Sequence, residues 1–128
     1  MTSELSDEEM GRRAPVWAAL SNLFLDTDIA LLYQYIAKEL AASSYTDEEL
    51  LRMLRTEAGP TFATNMFSIA GEWVGWTAEE TRELIGSYLR LPATLRWFRR
   101  LATRGFVEHA IASDWPQIRA LRDTELNR

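Results

Sequence analysis

Three segments of this chain carry the same start signal for an α-helix. Ser6-Asp7-Glu8-Glu9, Thr46-Asp47-Glu48-Glu49 and Thr77-Ala78-Glu79-Glu80 each place a hydroxyl three residues before a glutamate. At that spacing the hydroxyl can accept from the glutamate's backbone N–H, while the glutamate reaches back to the N–H of the capping residue. Apolar residues at helical intervals follow: Val16, Trp17, Leu20, Leu23 and Phe24, then Ile29, Leu32, Tyr33, Ile36 and Leu40. Leu50, Leu51 and Leu54 continue the pattern, as do Leu84, Ile85 and Tyr88. No segment alternates with strand period. An all-α bundle of about seven to eight short helices is predicted, and 128 residues suit one domain.

Prolines and glycines are expected to divide these helices. Residues 1–14 should form a polar segment with a short helix, and Pro15 should open the next, where its missing N–H costs nothing. Asp26-Thr27-Asp28 should break that helix and cap the following one. Gly59-Pro60 should stop the helix begun at Thr46. Phe62, Met66, Ile69 and Ala70 mark a further helical face ended by Gly71, and Glu72–Trp76 reads as a packed loop. Pro92 should open a helix that buries Leu95, Phe98, Leu101 and Ala102 and ends at Gly105. A short helix around Val107, Ala110 and Ile111 and a last one capped by Asp114 complete the chain. Trp17, Leu20, Phe24, Leu32, Ile36, Leu54, Leu84 and Phe98 are expected to meet in one core.

The residue inventory excludes most site chemistry. With no Cys and a single His, His109, neither a nucleophilic triad nor an ordinary zinc site can be assembled. Asp26-Thr27-Asp28 resembles the start of a calcium loop, but Leu31 and Ala37 stand where that loop requires Gly and Glu. Consecutive carboxylates fall in first helical turns, where they favour the macrodipole. No catalytic residue, cofactor or metal is expected. No apolar run approaches the roughly 20 residues of a membrane span, and the acidic start is unlike a secretion signal. A cytoplasmic protein is expected.

Charge is distributed unevenly. Residues 1–81 hold 14 acidic and 5 basic side chains, and residues 82–128 hold 5 acidic and 9 basic. That asymmetry suggests an acidic surface, drawn from Asp7, Glu8, Glu9, Asp26, Asp28, Asp47, Glu48 and Glu49, that meets a protein partner with a basic surface. Trp73 and Trp76 are a second candidate contact, because tryptophan concentrates at interface hot spots. Arg96, Arg99, Arg100 and Arg104 should ride the polar face of their helix as a secondary basic patch. A nucleic-acid contact there, with Trp97 stacking, runs against the overall charge of −5.

The opening Pro15-Val16-Trp17, Ala19-Leu20-Ser21 and Leu23-Phe24-Leu25-Asp26-Thr27 resembles that of an uncharacterised bacterial family of small proteins. Ser43-Ser44-Tyr45 with Glu48-Glu49-Leu50, and Asn65-Met66 with Ala70-Gly71-Glu72-Trp73, extend the likeness over about residues 12–85. The resemblance implies no activity and transfers no catalytic residue. The expected function is a non-catalytic protein-binding module, an inhibitor of the immunity or antitoxin kind. Alternatives are a helical domain that binds or transforms a small molecule with its carboxylates, and a nucleic-acid-contacting regulator working through the Arg96–Arg104 helix.

Overall fold

A computed structural model describes residues 5–25, 28–64 and 75–128. Seven α-helices lie among these residues, and no strand does. They are α1 (Asp7–Ser21), α2 (Tyr33–Ala42), α3 (Asp47–Met53), α4 (Gly59–Phe62), α5 (Ala78–Leu89), α6 (Ala93–Ser113) and α7 (Trp115–Leu126). Asn22–Phe24 and Ile29–Leu32 are 3-10 turns, and a π-helical turn, Leu54–Ala58, joins α3 to α4. The expected helices around Met66, Ile69 and Ala70, and the residues Asp26 and Trp73, lie outside the described residues.

The caps form as their chemistry requires. At Thr46 and Thr77 both halves of the capping box are made. At Ser6 only one half is: the hydroxyl accepts from Glu9 N at 3.1 Å, while the Glu9 carboxylate is drawn away to arginines and a tyrosine. Asp28 caps the 3-10 turn by accepting from Ala30 N. Asp114 precedes α7 without a side-chain cap and accepts the Tyr33 hydroxyl instead.

Three expected boundaries are not helix ends. Pro15 sits inside α1 on the exposed side, and the carbonyl it cannot serve belongs to exposed Gly11, where water can reach it. Gly59-Pro60 does not stop its helix. The wider π turn ahead of it, closed by Gly59 N–H donating to Leu54 O, takes up the residue that would otherwise force a break. Gly105 lies within the 21 residues of α6, which runs through to Ser113. A lone exposed glycine costs a helix only about 1 kcal/mol, less than the packing of Val107 and Ala110 returns.

The core gathers Trp17, Leu20, Phe24, Ile36, Leu40, Leu50, Leu54, Ile85, Val107 and Ile118. Helix α1 packs on α5 and α2, α2 lies along α7, and α6 crosses α4. Two members of the expected core are not in it. Leu84 and Phe98 are exposed, and Leu32 is half-buried against the cluster's edge. Phe98 is displaced because α6 turns a different face inward from the one its apolar residues suggest. Arg99 donates to the carbonyls of Pro60 at 2.8 Å and Thr61 at 3.2 Å, and Arg96 donates to Leu89 O at 3.3 Å. These are last-turn carbonyls of α4 and α5, which have no acceptor role inside their own helices and attract cationic donors. The two arginines seat the first half of α6, and Thr103, Val107 and Ala110 seat the second.

Candidate functional site

Glu57 sits on the π turn and is almost wholly buried. The Trp17 indole donates to its Oε1 at 2.9 Å, and Arg13 donates to its Oε2 at 2.5 Å. Arg13 also donates to Glu9 Oε2 at 2.6 Å, Tyr45 donates to the same oxygen at 2.8 Å, and Arg12 donates to Glu9 Oε1 at 2.9 Å. The hydrogen bond from Arg13, followed by that from Tyr45, holds the Glu9 carboxyl below its ordinary range. Burial, with Glu9 adding to it, pushes the Tyr45 phenol up. A cleft of about 300 Å³ opens beside this network, lined by Arg13, Tyr45, Glu49, Arg52 and Glu57 among others. Every carboxylate oxygen of Glu9 and Glu57 already accepts a hydrogen bond from the protein. The network joins α1 to the π turn and to the start of α3, and its chemistry is that of a structural tie.

Asp47 is likewise engaged. It accepts from Arg122 and pairs with Arg119 at 3.1 Å, while Arg122 also donates to Tyr45 O at 2.7 Å. Glu49 is used by its capping box. Of the eight acidic candidates, Asp7, Glu8, Asp28 and Glu48 are therefore left exposed, with Asp7 a loose 3.9 Å from Arg82. Trp76 is half-buried with its ring 4.5 Å from that of Phe62.

Leu95, Phe98, Leu101 and Ala102 of α6 were expected to be inside and are exposed. Trp97 and Phe98 are 58% and 59% exposed, and Leu95 and Leu101 about as much. The two rings meet edge to face at 4.9 Å. Of the four arginines expected on this helix's polar face, Arg96 and Arg99 are spent on the carbonyls described above, and Arg99 also lies over the Tyr88 ring. Arg100 and Arg104 are exposed one helical turn apart. They line a groove of about 520 Å³ with Trp97, Leu101, Thr103, Val107 and Glu108 of the same helix and with Arg55 of the π turn. Arg55 grips Glu108 through two hydrogen bonds, of 2.9 and 3.2 Å, and holds that carboxyl below its usual range, with Arg104 adding through space. Sequence periodicity missed this site because it treats every apolar stripe as inward-facing. The signal that could have found it is the interleaving of Trp97, Phe98 and Leu101 with four arginines over nine residues.

Among the described residues, no helix is long and apolar enough to cross a membrane, and no group of three His, Asp or Glu side chains is placed to hold a metal ion. The fold is thus an all-α domain in which Glu9, Asp47, Glu49 and Glu57 are tied internally and whose α6 carries an aromatic, arginine-flanked outer face. The chain belongs to a domain-of-unknown-function family, DUF7079, which it matches over residues 11–121. The match takes in the Pro15-Val16-Trp17 opening and runs on through α6 into α7. No curated protein and no solved structure matches the chain.

Proposed function

We propose that this is a non-catalytic, protein-binding domain that acts in the cytoplasm as an inhibitor of the immunity or antitoxin kind, with the outer face of α6 as its contact surface. The observation that supports this is the exposure of Trp97, Phe98, Leu95 and Leu101 on one helix beside Arg100 and Arg104. Tryptophan and arginine are the residues most enriched at binding hot spots, and a contiguous exposed apolar face of this kind marks an interaction site. The internal pairing of Glu9, Glu57 and Asp47 supports binding, rather than carboxylate chemistry, as the activity.

A second surface has its own observation. Tyr45 donates to Glu9, and Arg12 donates to Ser44 at 3.2 Å, so the acidic starts of α1 and α3 stand side by side with Asp7, Glu8 and Glu48 in water. A partner with a basic surface would meet the protein there. Site-specific photo-crosslinking in the native cytosol separates the two. A benzophenone side chain at position 98 is expected to yield one discrete protein adduct, and the same group at position 48 none. Adducts only from position 48 would move the interface to the acidic surface, and none from either would remove the binding reading.

A further inference from the structure

We infer that the α6 groove receives an acidic amphipathic helix from a partner protein. This rests on the reading of α6 as the contact surface and adds the chemistry of what it contacts. The first observation is one of charge. Arg12, Arg13, Arg55, Arg82, Arg119, Arg122 and Arg128 each meet a carboxylate, and Arg96 and Arg99 meet carbonyls. In a chain with 19 acidic and 14 basic residues, carboxylates are in surplus. The side chains of Arg100 and Arg104, like that of Arg52, donate to no acceptor among the described residues; Arg104 acts on Glu108 only through space, and the two arginines stand together on one wall of the groove. Two guanidiniums one turn apart match carboxylates at the same spacing on an opposing helix.

The second observation is one of shape. Phe98, Leu101 and Gly105 follow one another at intervals of three and four, which is the seam along which two helices pack. A Cβ built on Gly105 meets nothing within 4 Å, so this end of the seam is flat and open to close approach by another backbone. An apolar stripe on the incoming helix covers Trp97 and Leu101 in the groove and reaches over its rim toward Phe98, and its acidic flank reaches Arg100 and Arg104. This is the helix-in-groove mode of recognition. A phosphodiester backbone supplies no apolar side chains for Leu95, Phe98 and Leu101. A second copy packed α6 against α6 would bring like-charged arginine flanks together.

Fluorescence anisotropy on the full chain tests this with synthetic probes. One is a fluorescein-labelled helix of roughly 18 residues, five turns, with leucine on one face and glutamate on both flanks. The second carries lysine for every glutamate, and the third is a labelled single-stranded DNA. The glutamate helix is expected to bind, more weakly as salt is added, and the lysine helix not to. Arg100→Gln with Arg104→Gln should weaken binding at least about tenfold, and Leu101→Ser should do the same. All three positions are exposed or at the groove rim, so unchanged thermal midpoints verify the fold, and Lys38→Gln, an exposed cation on α2, serves as a control with full binding. If the Leu101→Ser protein loses binding while the double arginine variant does not, α6 is an interface but the acidic partner is wrong. Equal binding of both helices has the same meaning. DNA binding that depends on Arg100 and Arg104, without helix binding, overturns the inference in favour of nucleic acid. A dimer in sedimentation velocity that Leu101→Ser dissolves overturns it in favour of a second copy. Absence of helix binding, DNA binding and self-association together removes the contact surface itself.

Discussion

At Glu57 one carboxylate joins residues that are 40 and 44 positions away in the chain, Trp17 and Arg13. Removing it leaves a buried indole N–H without its acceptor and the part-buried Arg13 guanidinium with Glu9 alone. Breaking such a pair from one side typically costs about 3 kcal/mol or more, far above the worth of an exposed salt bridge. Glu57→Ala is expected to lower the urea midpoint accordingly, and Trp17→Phe, which deletes only the N–H, to lower it by roughly 1–2 kcal/mol. Glu9 makes a pH-dependent contribution. Its native carboxyl titrates lower than in the unfolded chain, first because of Arg13 and then Tyr45. The folded state therefore gains stability from it above its unfolded value of about 4.3, and loses that gain as pH falls through the depressed native value. Denaturation profiles between neutral and acid pH should fall less steeply in Glu9→Gln than in the wild type. Equal slopes would mean that Arg13 does not hold this proton off.

Among the elements, the π turn and α6 depend on each other. Gly59 lies where α4 meets α6, and a Cβ there would stand 2.4 Å from Leu54 O and 2.6 Å from a Val107 methyl. The Leu54 carbonyl is held by the π turn itself, so the backbone has no direction in which to give. Gly59→Ala should destabilise by about 1–3 kcal/mol or more, through displacement of α6 rather than through local propensity. Phe24→Ala, by contrast, removes a wholly buried ring from the 3-10 turn after α1 and should cost about 3–5 kcal/mol. A chemical-denaturation series over the two variants checks both magnitudes. The starts of α3 and α5 were legible in the sequence, since capping boxes are local chemistry and both form. The continuity of α1 through Pro15 and of α6 through Gly105 was not. Local signals there favour a stop, and the helix persists because of what its other residues bury.

For the molecule as a whole, the facing of α6 separates two accounts of its apolar residues. Were Phe98 a core residue, Phe98→Ser would cost several kcal/mol. With the ring more than half exposed, Trp97→Ser and Phe98→Ser should each change stability by no more than about 0.5 kcal/mol in thermal or urea unfolding, while reducing partner capture. The same global arrangement disperses the acidic surface. Glu9, Asp47 and Glu49 are consumed by Arg13, Arg122 and a cap, so the charge asymmetry between the two halves of the chain is partly an inventory of internal ion pairs.

Hydroxyl-to-glutamate spacing and a 3.6-residue apolar period determined the all-α fold, two complete capping boxes and the buried stripe of Trp17, Leu20, Phe24, Ile36 and Leu54. Each of these follows from interactions within a few residues, or from the burial of large apolar side chains. Only the tertiary structure decided which side of α6 faces inward. Carbonyls at the end of α4, 38 and 39 residues away in sequence, and at the end of α5 needed donors, and Arg99 and Arg96 supplied them. Satisfying those backbone groups turned Trp97, Phe98 and Leu101 out to solvent, because a buried carbonyl without a donor costs more than an apolar side chain left in water.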